Sequence, residues 1–152
     1  MSAAAVFLIK GSHLKVTKLS PKGLRFKCRR CGTFCCRLGG PVVTSDDVVR
    51  LKRSCPDIEN ATETVVLGRT VGKVLVAKPN GECIFFQRRG DGGVCSVYNH
   101  RPDVCRTYPF RLVREGNSLI VSLLPCVGLN TKEGRLLNGK LIREYLQFAT
   151  AT

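Results

Sequence analysis

The chain has no tryptophan, one methionine and two histidines. With so little imidazole, any metal site here must rely on other donors. His13 lies among lysines near the start. His100 sits between Asn99 and Arg101, close to two cysteines, and is a weaker ligand candidate than the thiols around it. Long apolar runs are also missing. Nothing approaches the ~20 apolar residues of a membrane span, so no membrane role is expected. The apolar stretch Ala3 to Ile9 is short and has no basic residue before it, which argues against a secretory signal and for a cytoplasmic protein. Acidic residues are absent before Asp46. No glycine-rich nucleotide loop is present, since Gly90-Asp91-Gly92-Gly93 is too short and falls in an expected hairpin. No internal repeat is visible.

Cysteine, by contrast, is abundant: nine residues in a chain of 152. Small secreted scaffolds use cysteine to replace a missing core, but this chain is 43% apolar and long enough to bury one. In a cytoplasmic protein, spaced cysteines point first to metal ligation. Cys28-x2-Cys31 has the spacing of a metal knuckle, in which two thiolates on a tight turn chelate one ion or two irons of a cluster. Lys27, Arg29, Arg30 and Arg37 flank it and favour the thiolate form. Cys35 and Cys36 are adjacent. In extended backbone such neighbours point to opposite sides, so the pair is expected to serve different sites, or one of the two only packs. Cys83, Cys95, Cys105 and Cys126 follow, while Cys55 stands apart as a thiol without a ligand role. Eight thiols could form two four-thiolate sites, or one site with further buried or disulfide-linked cysteines. All-thiolate ligation suits a 4Fe–4S cluster and Zn2+ equally.

The net charge of +14 is unevenly placed. The first 45 residues carry +9, and the remainder carries 16 basic against 11 acidic residues. A field this lopsided suits an anionic partner, and RNA is the expectation, including ribosomal RNA and a site among ribosomal proteins. The candidate contacts are Lys10, Lys15, Lys18, Lys22, Arg25, Lys27, Arg29 and Arg30. Apolar residues interleave with them, which argues against simple disorder. A division follows into a basic arm or ribbon over residues 1–27 and a cysteine-cluster metal-binding domain over 28–152.

Local signals predict an α+β fold with short antiparallel strands, a few short helices, cysteine-rich metal-binding loops and a C-terminal helix. Val6 to Ile9 and Lys15 to Leu19 read as strands, with a turn at Ser20 to Gly23. Glycines make residues 28–43 a loop. Thr44 is a fitting N-cap with Asp47 at N3, and Pro56 ends that helix. Strands are expected at Thr64–Leu67, Lys73–Ala77, Cys83–Phe86 and Val94–Tyr98. A short helix follows at 101–106 with Pro102 in its first turn. Glu115-Gly116-Asn117 reads as a hairpin turn. From Leu136 to Ala149, Leu137, Leu141, Tyr145 and Phe148 fall on one helical face, as core packing requires.

The segment from Cys95 through Arg101-Pro102-Asp103-Val104-Cys105-Arg106 to Tyr108-Pro109-Phe110 resembles the hallmark of the YkgJ-like cysteine-cluster family, a zinc- or iron-chelating domain. Cys28 to Cys36, Gly81 to Phe86 and Pro125 to Gly128 agree in order, and the resemblance covers about residues 26–130. It implies metal-ligand roles for Cys28, Cys31, Cys35, Cys36, Cys83, Cys95, Cys105 and Cys126. The family's opening cluster is usually C-x2-C-x2-C-C, whereas three residues precede Cys35 here. A similar domain occurs in an enzyme that methylates flagellin lysines, so an iron–sulfur redox or protein-modifying enzyme is the alternative to an RNA-associated metal protein. A disulfide-stapled domain without metal is the third reading. No catalytic residue is assigned, and Tyr98 and Tyr108 are read as packing groups. Arg101 and Arg106 are read as stabilising thiolates or holding the hallmark loop.

Overall fold

Short strands and tight turns account for most of the computed structural model, which describes residues 3–11, 13–20, 22–30, 32, 35–37, 39–90 and 92–148. Cys31, a candidate ligand, lies outside the described residues, as do Pro21, Asp91 and Ala149 of the expected turns and terminal helix. In chain order the elements are β1 (Ala3–Lys10), β2 (His13–Leu19), β3 (Arg25–Phe26), β4 (Val42–Val43), α1 (Ser45–Leu51), β5 (Thr62–Leu67), β6 (Thr70–Leu75), β7 (Phe86–Arg89), β8 (Gly92–Cys95), α2 (Asp103–Thr107), β9 (Phe110–Glu115), β10 (Ser118–Leu123), β11 (Arg135–Leu136) and α3 (Gly139–Leu146). Short 3₁₀ turns occur at Ile58–Ala61 and Tyr98–His100. Every paired strand is antiparallel, and the fold is α+β.

The chain divides into two compact units, one built from residues 1–29 and 107–152, the other from residues 30–106. This departs from the division expected at residue 27. β1 and β2 do form a ribbon, but β1 also pairs with β10, giving a four-stranded sheet in the order β2-β1-β10-β9. The reason is apolar. Ala5 and Phe7 of β1 are fully buried, together with Leu119 and Val121 of β10. A strand that buries a phenylalanine at its centre cannot remain a free arm, because exposing that ring costs about 2–3 kcal/mol. Leu137, Leu141 and Ile142 complete this core. Asn138 starts α3 by accepting a hydrogen bond from the Leu141 amide at 2.9 Å. Phe26 meets Phe110 edge-on with centroids 5.1 Å apart, and Tyr145 lies 5.2 Å from Phe110. The helical stripe read from the sequence is therefore core at Leu137, Leu141 and Tyr145.

In the second unit β4, β6 and β5 form a three-stranded sheet, and β7 and β8 a separate hairpin. Val43, Leu51, Ile58, Leu75, Cys83, Phe86 and Val97 make its core. The strand expected over Cys83–Phe86 is instead a turn, closed by the Phe86 amide donating to the Cys83 carbonyl at 3.0 Å. Cys83 and Phe86 are both buried. Two inward side chains three positions apart fit a turn, whereas a strand would send them to opposite faces. The strand expected over 94–98 likewise ends at Cys95, and the chain turns at Tyr98.

Helix α1 starts as its sequence predicts. Asp47 accepts from the Thr44 amide at 2.8 Å, and Thr44 Oγ1 accepts from the Asp47 amide at 3.1 Å. The same buried carboxylate accepts from the Asp103 amide at 3.0 Å and from Arg50. Arg50 also donates to the Arg101 carbonyl at 2.8 Å. One carboxylate thus joins the starts of α1 and α2.

Candidate metal centre

Five described candidate cysteines of the second unit come from four local structures. Cys35 and Cys36 occupy a turn within the glycine-bounded loop. Cys83 follows the turn at Pro79-Asn80, and its amide donates to the Cys36 carbonyl at 2.8 Å. Cys95 ends β8, where it pairs with Phe86. Cys105 lies on α2, whose amino end is held by Asp47. Beneath the cysteine loop, close approach to the Phe86 ring selects glycine twice. A Cβ on Gly32 would come within 2.6 Å of that ring, and one on Gly93 within 2.3 Å. Gly32 also has φ of +60°, a conformation costly for other residues.

The sulfurs of Cys35 and Cys36 lie 4.0 Å apart. The expectation that these neighbours diverge fails because it assumed extended backbone, and the pair sits in a turn. Cys36 interacts with the thiols of both Cys35 and Cys95. Hydrogen bonding from Cys36 is the main cause that lowers Cys35 and Cys95 to about 7, with the Arg101 cation adding to it. Cys36 is pushed up as the donor to both. Burial raises Cys83, and it raises Cys105 further, with the charges of Cys35, Cys83 and Cys95 acting in the same direction. These shifts describe thiols crowded closely enough to compete for protons. No disulfide joins Cys35, Cys36, Cys55, Cys83, Cys95 or Cys105.

Two candidate ligands, Cys28 and Cys126, belong to the first unit. Cys28 is exposed, and Cys126 is half-buried against the first unit's core and accepts from the Gly128 amide at 3.4 Å. Among the described residues no three His, Cys, Asp or Glu side chains are already gathered in an ion-holding geometry. Cys55 packs against the second unit's core. His100 turns its Nδ1 to Ser54 Oγ at 2.7 Å. Arg101 lies close enough to Cys35 and Cys95 for its charge to lower both thiols. Its guanidinium lies 3.9 Å over the Tyr98 ring, and Arg30 lies 4.1 Å over the same ring. Arg106 donates to the Arg101 carbonyl at 3.1 Å, which holds the hallmark loop. The link from Asp47 to α2 was not legible beforehand, because no local pattern joins positions 56 residues apart.

The donor set fits a thiophilic metal. Cys35 and Cys36 bring two sulfurs to 4.0 Å, Cys95 interacts with Cys36, and the cationic Arg101 favours the thiolate form of Cys35 and Cys95. A family model, CxxCxxCC, described as "Putative zinc- or iron-chelating domain", matches residues 27–134. The chain therefore belongs to the CxxCxxCC family. No curated protein and no solved structure matches it.

Seven of the eight candidate nucleic-acid contacts, Lys10, Lys15, Lys18, Lys22, Arg25, Lys27 and Arg29, fall in the first unit, and all seven are exposed. Arg30 begins the second unit. The first unit holds thirteen Lys/Arg against three Glu, a net of +10, and the second holds twelve Lys/Arg against eight Asp/Glu, a net of +4. No helix of the described residues is long and apolar enough to cross a membrane.

Proposed function

We propose that this is a cytoplasmic RNA-binding protein in which a cysteine-held metal is structural and the first unit supplies the RNA-facing surface. The observation that carries the reading is the charge of that unit. Among its described cations only Arg135 closes an ion pair, with Glu144. A surface of unpaired lysines and arginines is held apart by its own repulsion until an anion covers it. Ribosomal RNA, with neighbouring ribosomal proteins, supplies such a partner.

Zinc suits the metal role best. Two thiolates on one tetrahedral ion with Zn–S of about 2.3 Å stand about 3.8 Å apart, close to the 4.0 Å between Cys35 and Cys36. Cys95, which interacts with Cys36, supplies a further donor once these thiols lose their protons, since thiolates bind metal only after deprotonation. Elemental analysis after anaerobic purification tests this directly. Stoichiometric zinc in a colourless protein is expected; a brown protein with iron and labile sulfide would overturn it and favour the iron–sulfur enzyme.

Truncating residues 1–27 would remove the centre of a sheet, so the RNA test uses surface charge instead. Lys15 and Lys18 are exposed on β2, an edge strand. Fluorescence anisotropy with a labelled single-stranded RNA should show weaker binding for the double variant Lys15→Glu/Lys18→Glu. The slope of log affinity against log salt should become shallower by about 1.4, at roughly 0.7 for each lost phosphate contact. Equal affinity and slope in wild type and variant would sink the RNA reading.

A further inference from the structure

Beside β3, the loop from Gly128 to Gly134 encloses a recess of about 370 Å³, open to solvent, lined by Gly23, Arg25, Asn130, Thr131 and Lys132. That volume is at the small end of ligand-site sizes. We propose that the recess seats one phosphodiester phosphate of a bound RNA strand, which rests on the RNA reading above and gives it a location.

Charge is the first argument. Two of the five lining residues are cations and none is acidic. Among the described residues neither Arg25 nor Lys132 closes an ion pair. Lining a small recess with two unneutralised cations is unfavourable unless an anion shares the space, and a phosphate oxygen accepts from guanidinium, ammonium and amide alike.

Preorganisation is the second. The loop is tied to β3 and to Lys27, the residue after it, by three hydrogen bonds. The Lys27 amide donates to the Gly128 carbonyl at 3.0 Å, and the Asn130 amide donates to the Arg25 carbonyl at 2.8 Å. Arg25 Nη1 donates to the Gly134 carbonyl at 3.0 Å, which uses one edge of the guanidinium and orients the remainder. Thr131 is buried and donates its hydroxyl to the Gly128 carbonyl at 3.1 Å, so it anchors the loop rather than offering a ligand contact. Asn130 has a positive φ of 60°. A donor side chain is thus held on a strained, well-bonded backbone, an arrangement that lowers the ordering cost of binding. Lys132 was absent from the candidate contacts because nothing in the sequence links it to Arg25, more than a hundred residues earlier.

The test compares charge changes at different places, with Lys132→Glu matched in size to its control and Asn130→Asp only half as large. Lys132→Glu removes a recess cation on an exposed side chain. Asn130→Asp adds an anion at a position whose backbone aspartate tolerates nearly as well as asparagine. Lys140→Glu, exposed at the start of α3, is the control for overall charge. Each variant is titrated against the same labelled single-stranded RNA over a salt series, with circular dichroism to establish folding. Lys132→Glu and Asn130→Asp should each weaken binding more than Lys140→Glu, and Lys132→Glu should flatten the salt slope by about 0.7 beyond the control. If RNA binds but Lys132→Glu and Asn130→Asp do no more than Lys140→Glu, the recess is not a phosphate seat, while the RNA reading survives. If wild-type protein binds no RNA at any salt concentration, both ideas fall together, a pattern distinct from the first.

Discussion

Asp47 carries an unusual share of the second unit's architecture for a single side chain. Its carboxylate is buried, caps α1, receives the Asp103 amide and pairs with Arg50. Removing one partner of a buried charge pair strands the other, which costs about 3–5 kcal/mol. Asp47→Ala should therefore lower unfolding free energy by about that amount in urea denaturation, while Asp46→Ala on the exposed side stays within about 0.5 kcal/mol. Half of this was legible in the sequence. Thr44 and Asp47 announce a capping box, since N-cap and N3 are local positions, but the bond to Asp103 depends on how the chain returns. A second residue-scale effect concerns Glu144. The hydrogen bond from Arg135 holds its carboxyl below the ordinary 4.5. A depressed carboxyl stabilises the fold above its unfolded value, and that contribution is lost as pH falls through the folded one. Denaturation midpoints measured from neutral pH downward should fall less steeply for Glu144→Gln than for wild type.

At the scale of elements, hairpins were the most legible feature. Glu115-Gly116-Asn117 predicts a turn, and β9 and β10 flank it in continuous register. Cys83 to Phe86 misled because an apolar run of four reads as a buried strand, and only the surrounding contacts reveal a turn. Phe86 then acts as the floor on which the cysteine loop rests, its ring lying against Gly93 of β8. Gly93→Ala would push a methyl into a fully buried ring, and overpacking of this kind costs about 1–3 kcal/mol. The predicted readouts are a lower denaturation midpoint and weaker retention of bound metal in a competition with a chromogenic chelator. Unchanged retention alongside lost stability would separate the hairpin's packing from the thiol site.

For the whole molecule, the division into two units separates two properties that the sequence places side by side. Cys28 to Cys36 directly follow the basic leader, which invites a single structural unit joining metal site and RNA surface. The boundary between units instead falls after Arg29. The basic surplus gathers in one unit, and the thiols of Cys35, Cys36, Cys83, Cys95 and Cys105 in the other. Stripping metal from loaded protein should therefore loosen residues 30–106 first. Hydrogen exchange with and without chelator should show early loss of protection there, with the sheet of β1, β2, β9 and β10 holding longer. Simultaneous loss across both units would contradict this separation.

What the sequence determined by itself is chemical and local. Nine cysteines among few histidines imply thiolate ligation, an ordered spacing marks the family, and capping and turn residues set helix starts and hairpins. These depend on residue type and on neighbours a few positions away. The tertiary structure decided which distant residues meet. It wove residues 3–10 into a sheet with residues 118–123, brought the sulfurs of adjacent cysteines to 4.0 Å through a turn, and set Lys132 beside Arg25. The first of those outcomes accompanies the burial of Phe7 and the second the burial of Phe86. Burial is a property of the whole chain, so no local pattern records it.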